Sequence, residues 1–360
     1  MNITTNHSPG SHSTLSRITG VSKSVSLRDL QKKQQGVALI VAVLVVAIAA
    51  VLATAVVDRL NLDIRRTENL IHSEQAYVYA QGAEIIAIAA LVQDKKNSKY
   101  DSLDEDWATA TPPFPVEGGA IVGKLTDLQS CFNINNLSST LNATSFNEDV
   151  ARFGRLLSAV DLAPSISYAV VDWLDDDMQT SPSGGAEDDW YMGLTPPYRA
   201  ANSPITSVSE LRMVKGFEPT DQDKPFEKLV PPDISKGLFV CALPVATAIN
   251  VNTAPKEVLK SLAADLTDDE ADKIIERRMG GPAPQPGQGE PFESLEQFNS
   301  FMKNDLKKSN FETTNLGISS NYFLLDATAQ IGNNRAHLYS IIRRDDNGSC
   351  HVIARSQGDW

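Results

Sequence analysis

At 360 residues, 42% hydrophobic and 21% charged, the chain can bury a core and hold two or more domains, which excludes wholesale disorder. Its formal charge of −13 is uneven: residues 1–36 carry five bases (Arg17, Lys23, Arg28, Lys32, Lys33) against Asp29, leaving 27 basic and 44 acidic residues beyond. So acidic a body repels phosphate backbones and favours cationic partners or divalent metals.

The first element is apolar. From Val37 to Val57 run 21 residues in which only Thr54 is polar. As a helix they span about 30 Å, the thickness of a bilayer's hydrocarbon core. A buried helix of a soluble protein shows an apolar stripe, not hydrophobicity all round. Lys32 and Lys33 abut the run, so the positive-inside rule puts the leader in the cytoplasm and everything after Val57 across the membrane. A cleaved secretory signal competes, with Ala53 and Ala55 in "LATAVVDRL" as its site, but its apolar region is usually shorter. The helical pattern also continues to about Val92, with Leu60, Ile64, Ala76, Ala80, Ile85, Ile86, Ala89 and Ala90 as apolar positions. No proline interrupts Val37 to Val92, which predicts one helix of about 55 residues, half bare hydrocarbon and half amphipathic.

Next, "GGAIVGKLTD" reads as a strand, and 117–135 has strand character with glycine turns. From about 136 to 315 helical signals dominate. Ser207-x-x-Glu210, Thr267-x-x-Glu270 and Ser294-x-x-Gln297 match capping boxes, and Gly216 sits where a C-terminal cap belongs. "GGPAPQPGQGEP" (280–291) reads as an exposed loop. Three strands close the chain, "YFLLDATAQIG", "HLYSIIRRD" and "CHVIARSQ". This is an α+β arrangement: a long helix on a small antiparallel sheet, with a large, mainly helical insertion between early and late strands.

The acidic loop is the candidate site. Asp172, Asp175, Asp176, Asp177, Glu187, Asp188 and Asp189 fall within 18 residues that hold no Lys or Arg. They repel one another unless solvated or bridged by a cation, and Gly184 and Gly185 let the chain fold back on itself. Calcium, with six to eight hard oxygen ligands in tolerant geometry, suits such a loop. It is not an EF-hand, because Thr180 replaces the required glycine and Ala186 stands at position twelve. Trp173, Trp190 and Tyr191 tie the loop to a core. An enzyme is not expected. No GxSxG, HExxH or Walker loop is present, and His72, His337 and His351 are isolated. Cys131, Cys241 and Cys350 form no zinc cluster. One disulfide plus a spare thiol fits an oxidising compartment; spacing does not choose the pair, and Cys131 with Cys241 is the candidate.

A basic leader, Gly36, and an apolar stretch running into an amphipathic half resemble a type IV prepilin or pseudopilin. "LQSCFNINNL" (128–137), "VVDWLDDDMQTSPSGGAEDDWYM", "PPYRAANSPITSVSELRMVKGF" and "INVNTAP" extend the resemblance over nearly the whole mature chain, to the protein K family of large minor pseudopilins in type II secretion. The resemblance implies prepilin peptidase cleavage between Gly36 and Val37. It implies Val41 where most pilins carry a glutamate, marking a tip subunit, and a type IV pilin-like fold. It implies calcium in the helical block, and assembly with minor pseudopilins I and J, the major pseudopilin and the inner-membrane platform to nucleate a pseudopilus for export across the outer membrane. The expected organisation is a leader (1–36), a transmembrane half-helix (37–57), a first pilin-like part (58–135), the helical insertion (136–315) and C-terminal strands (316–360). The body is expected in the periplasm and then at the pseudopilus tip. The alternative is a membrane-anchored DNA-uptake protein, since "INVNTAPKEVLKSL…DDEADKIIERR" resembles a helix-hairpin-helix. Its turn, "AADLTDDEAD", lacks the glycines and sets five acids against a phosphate, so nucleic acid is not expected.

Overall fold

The computed structural model describes residues 27–109, 112–220, 223–232, 237–280 and 289–357, with backbone alone for 27–35. Most of the leader and of the predicted 280–291 loop lies outside the described residues. The chain divides into two compact units, one ending at Glu68 and one starting at Asn69. Helix α1 (Leu27–Asn97) contributes to both. In the first unit its side chains from Gly36 to Val57 are all exposed, and the segment is long and apolar enough to cross a bilayer.

In the second unit α1 lies on an antiparallel sheet. Strands β1 (Phe114–Val116) and β2 (Gly119–Asp127) precede a long excursion. The excursion holds β3 (Phe132–Asn133), α2 (Phe146–Ala159), α3 (Ile166–Leu174), α4 (Asp188–Tyr191), α5 (Pro225–Leu229), β4 (Val240–Cys241), β5 (Ile249–Asn250), α6 (Lys256–Lys260), α7 (Asp268–Met279), α8 (Leu295–Ser300) and β6 (Leu316–Gly317). The chain then returns as β7 (Tyr322–Ile331), β8 (Asn334–Arg344) and β9 (Cys350–Ser356). The sheet order is β1-β2-β7-β8-β9, with Asp127 opposite Phe323, so the helical block is inserted between two neighbouring strands.

Strand alternation explains the packing. Ile121, Leu125, Phe323, Leu325, Ala327, Ala329, Leu338 and Ile342 point at α1, which offers Ala76, Ala80, Ala83, Ala87 and Leu91. Alanines at these spacings let the helix sit close to the sheet. Ile85 and Ile86, read from sequence as packing positions, are instead exposed. The opposite face of the sheet meets the inserted block through Leu128, Leu243, Tyr322, Leu324 and Ile341, beside the disulfide Cys131–Cys241. Cys350 is the free cysteine. A separate core inside the block gathers Phe132, Phe153, Trp173, Tyr191 and Phe217.

Two local expectations need correction. Residues 208–213 form a 3₁₀ helix, not a capped α-helix. Ser207 caps Ser209 N–H, and Glu210 turns away to accept from Trp173 Nε1 at 3.1 Å. Gly216 is not the cap of that helix, which ends at Met213 with Val214 as its C-cap. It makes a later turn at φ +98°, where its N–H donates to Glu218.

Candidate metal site in the acidic loop

Helix α3 is short and almost wholly apolar, so its last turn is drawn into the core and takes Asp172 with it. Asp172 Oδ2 accepts from Ser181 N–H at 3.0 Å, which folds the loop back across the helix end. Glycines make that possible: Gly184 stands at φ +125°, and a Cβ at Gly185 would collide with Asp172 Oδ2. Lys215 Nζ fixes the turn by donating to Gly185 O at 3.0 Å. On the far side Trp173 and Tyr191 meet edge to face, 5.1 Å between centroids, and Tyr198 closes on Tyr191.

The fold-back gathers some of the seven acids and disperses others. Asp175, Asp177 and Glu187 each present an oxygen within 4.8 Å of the other two. Asp172 stands alongside, close enough to raise the pKa values of Asp175 and Glu187. Asp188 is engaged elsewhere: its Oδ1 accepts from Ala200 N–H at 3.1 Å and its Oδ2 lies 3.6 Å from Arg199 Nε. Asp176 and Asp189 are exposed and stand outside the three-carboxylate group.

The electrostatics favour positive charge here. Glu187 is only 3% exposed, yet neither of its carboxylate oxygens has a hydrogen-bond partner. Asp172 Oδ1 and Asp175 Oδ1 are buried and unpartnered too. Burial first, then repulsion from Asp172, Asp175, Asp177 and Asp188, pushes Glu187 up to about 7. Burial, then Asp177 and Asp172, pushes Asp175 up to about 6. Buried acceptors without donors are costly, and a hard divalent cation satisfies several at once. The donor set is all oxygen and fits calcium better than zinc or copper.

A second carboxylate group, which no sequence signal marked, has a different character. Asp94, Asp101 and Glu105 also converge, but the buried guanidinium of Arg344 lies among them, 2.8 Å from Asp94 Oδ2 and 2.5 Å from Asp101 Oδ1. This is a structural joint with its own cation. In the helix hairpin several acids are likewise matched within the protein. Asp268 pairs with Lys260 at 2.5 Å, Asp272 with Lys256 at 2.7 Å and Glu270 with Lys308 at 3.0 Å. Lys256 and Lys260 are thus engaged with acids of the hairpin itself, the geometry of a packing unit.

Comparison with known proteins places the chain in one group. Family profiles described as type II secretion system protein K match residues 130–231 and 249–319. The chain is 33% identical over 344 residues to a type II secretion system protein K of Aeromonas hydrophila, covering 91% of this chain and 98% of that one. A protein K of Pseudomonas aeruginosa is 31% identical, with 91% and 94% covered. The structure is similar to a chain in the crystal structure of the GspK-GspI-GspJ complex from enterotoxigenic Escherichia coli. The TM-score is 0.64 and the identity 27%, over 82% of this chain and all of that one.

Proposed function

The chain belongs to the type II secretion system protein K family and is a minor pseudopilin; from that premise we propose that it forms the tip of the pseudopilus. There it nucleates assembly with the smaller minor pseudopilins I and J, ahead of the major pseudopilin, for export across the outer membrane. The likeness to a chain crystallised in the GspK-GspI-GspJ complex carries this reading.

The inserted block supports it, since a bulge of this size suits a filament end better than a packed shaft. Val41 supports it as well. A glutamate at bilayer depth costs several kcal/mol unless paired, and a terminal subunit has no neighbour above to supply the partner. After cleavage at Gly36 the apolar part of α1 anchors the chain in the inner membrane, with the body on the periplasmic side. Asp175, Asp177 and Glu187, with Asp172 alongside, would hold calcium, which supplies charge neutralisation and a rigid loop.

The surface proposed for I and J is the outer face of α1. Ile71, Val78 and Ile85 recur every seven residues and are 57%, 60% and 72% exposed, on a helix whose alanines already face the sheet. A seven-residue apolar repeat is the seam of a helix pair. Co-expression of the full chain with its cognate I and J, followed by affinity capture in detergent, tests the reading. Val78→Glu with Ile85→Glu is expected to cut co-purification at least about tenfold while leaving the melting temperature within a few degrees. Undiminished capture would remove this face from the assembly, and no capture of the wild type would remove the partnership.

A further inference from the structure

Helices α2 and α3 border a groove of about 610 Å³, a volume within the roughly 300–1,000 Å³ of small-molecule sites. Its floor is apolar, from Phe146, Val150, Ala151 and Val171. It stays open because α2 presents small residues here: a Cβ at Gly154 would already touch Pro164 at 3.6 Å, and a longer side chain would bridge the walls. The far rim is Ser181 and Ser183, the first held by its N–H on Asp172.

The polar lining is rich in hydroxyls and carries little charge. Ser158 and Ser167 turn their hydroxyls back onto the main chain, to Gly154 O at 3.1 Å and Pro164 O at 2.7 Å. Among the described residues, the hydroxyls of Ser165, Ser181, Ser183 and Tyr168 and the amide of Asn147 bond to no protein atom. The charged residue of the lining, Arg155, is already neutralised. Its Nη2 donates to Glu148 Oε1 at 2.6 Å and its Nε to Ser261 O at 2.6 Å.

We propose that this groove binds a short neutral oligosaccharide, with a sugar ring against Tyr168 and sugar hydroxyls on the unpartnered serines and Asn147. A serine hydroxyl both donates and accepts, as a sugar hydroxyl does, so the two pair in either sense. Water serves these groups in the free chain, and the sugar takes its place. Tyr168 is 37% exposed and offers an apolar ring and a hydroxyl together, which suits a ligand with C–H faces and polar edges. Other ligands fit less well. An anion meets a guanidinium already occupied by Glu148. An extended peptide finds no strand edge to pair with, because α2 and α3 form the walls. A wholly apolar ligand would cut the hydroxyls off from water.

The competing explanation is an incidental gap between two helices. Calorimetric titration of the full chain with maltotetraose and with the tetramer of N-acetylglucosamine separates the two, in a detergent without a sugar headgroup that could compete. At least one tetramer is expected to bind saturably, one per chain. Tyr168→Ala is expected to weaken that binding by about tenfold or more, and Tyr168→Phe, which keeps the ring, by less. Ala151→Gln, an exposed position on α2 filled by a good helix former, is expected to block the floor and weaken binding about tenfold as well. Both exposed positions should leave the melting temperature within a few degrees, and if Tyr168→Ala melts early, Ala151→Gln decides. Folded wild type that shows no saturation with either sugar up to about 10 mM overturns the proposal. So does binding that a folded Tyr168→Ala or Ala151→Gln variant leaves within about twofold of wild type.

Discussion

Asp127 is the residue on which the pilin-like sheet and the inserted block meet. It is 2% exposed and accepts from Gln129 N–H at 2.7 Å, Thr253 Oγ1 at 2.6 Å, Ser320 Oγ at 2.7 Å and Asn250 Nδ2 at 3.1 Å. Asn250 also reaches Asp101 O, so the end of β2, the start of β7 and the block share one polar knot. Four donors do not fully offset burial, which pushes Asp127 up to about 6. Its folded pKa thus lies above the value near 4 expected when unfolded. The ionised form is disfavoured in the fold, so the cost is complete above about pH 6 and fades as pH falls towards 4. Two units correspond to about 3 kcal/mol as an upper bound. Wild type is expected to gain on Asp127→Asn by up to that amount between pH 7.5 and 4.5, read from urea unfolding of the full chain in detergent. A pH-independent difference between the two would mean that the carboxylate titrates normally.

At the scale of elements, helix caps give a direct comparison. Thr267 and Ser207 carry the same sequence signature, and only the first becomes a capping box: Thr267 Oγ1 accepts from Glu270 N–H at 3.3 Å, and Glu270 Oε2 accepts from Thr267 N–H at 2.9 Å. Ser207 loses its partner because Glu210 serves the indole of Trp173. Thr267→Ala is therefore expected to cost about 1 kcal/mol and Ser207→Ala a few tenths, by the same denaturation measurement. Equal costs would show that the reciprocal bond adds nothing. The contrast also explains what was legible. Strands β2, β7, β8 and β9 announce themselves by alternation, and α1 by its length without proline. The two-residue strands β3 to β6 are too short for any period and exist only because distant chain passes beside them. The acidic loop was legible as charge density. Which acids converge was not, because that depends on Asp172 capturing Ser181 and on two glycines bending the chain.

At the scale of the whole molecule, Gly36 is out of place unless the bond after it is meant to be cut. It lies inside α1, and a Cβ there would meet nothing within 4 Å. Alanine would favour the helix by about 1 kcal/mol, so neither packing nor backbone strain accounts for the glycine. Processing does. Cutting between Gly36 and Val37 would discard the basic leader, leave the apolar helix on the acidic body and create a new ammonium at Val37. A subunit with that ammonium but valine at position 41 can receive a neighbour's glutamate yet offers none, so it pairs in one direction only, as a filament end must. Intact-mass spectrometry of the chain recovered from the inner membrane of cells with the prepilin peptidase is expected to give an N-terminus at Val37. In cells lacking the peptidase, or carrying Gly36→Val, the leader is expected to stay attached. An N-terminus just after Ala55 would instead identify the run as a secretory signal. The chain would then have lost its anchor, and the outer face of α1 would have to find its partner helices from solution.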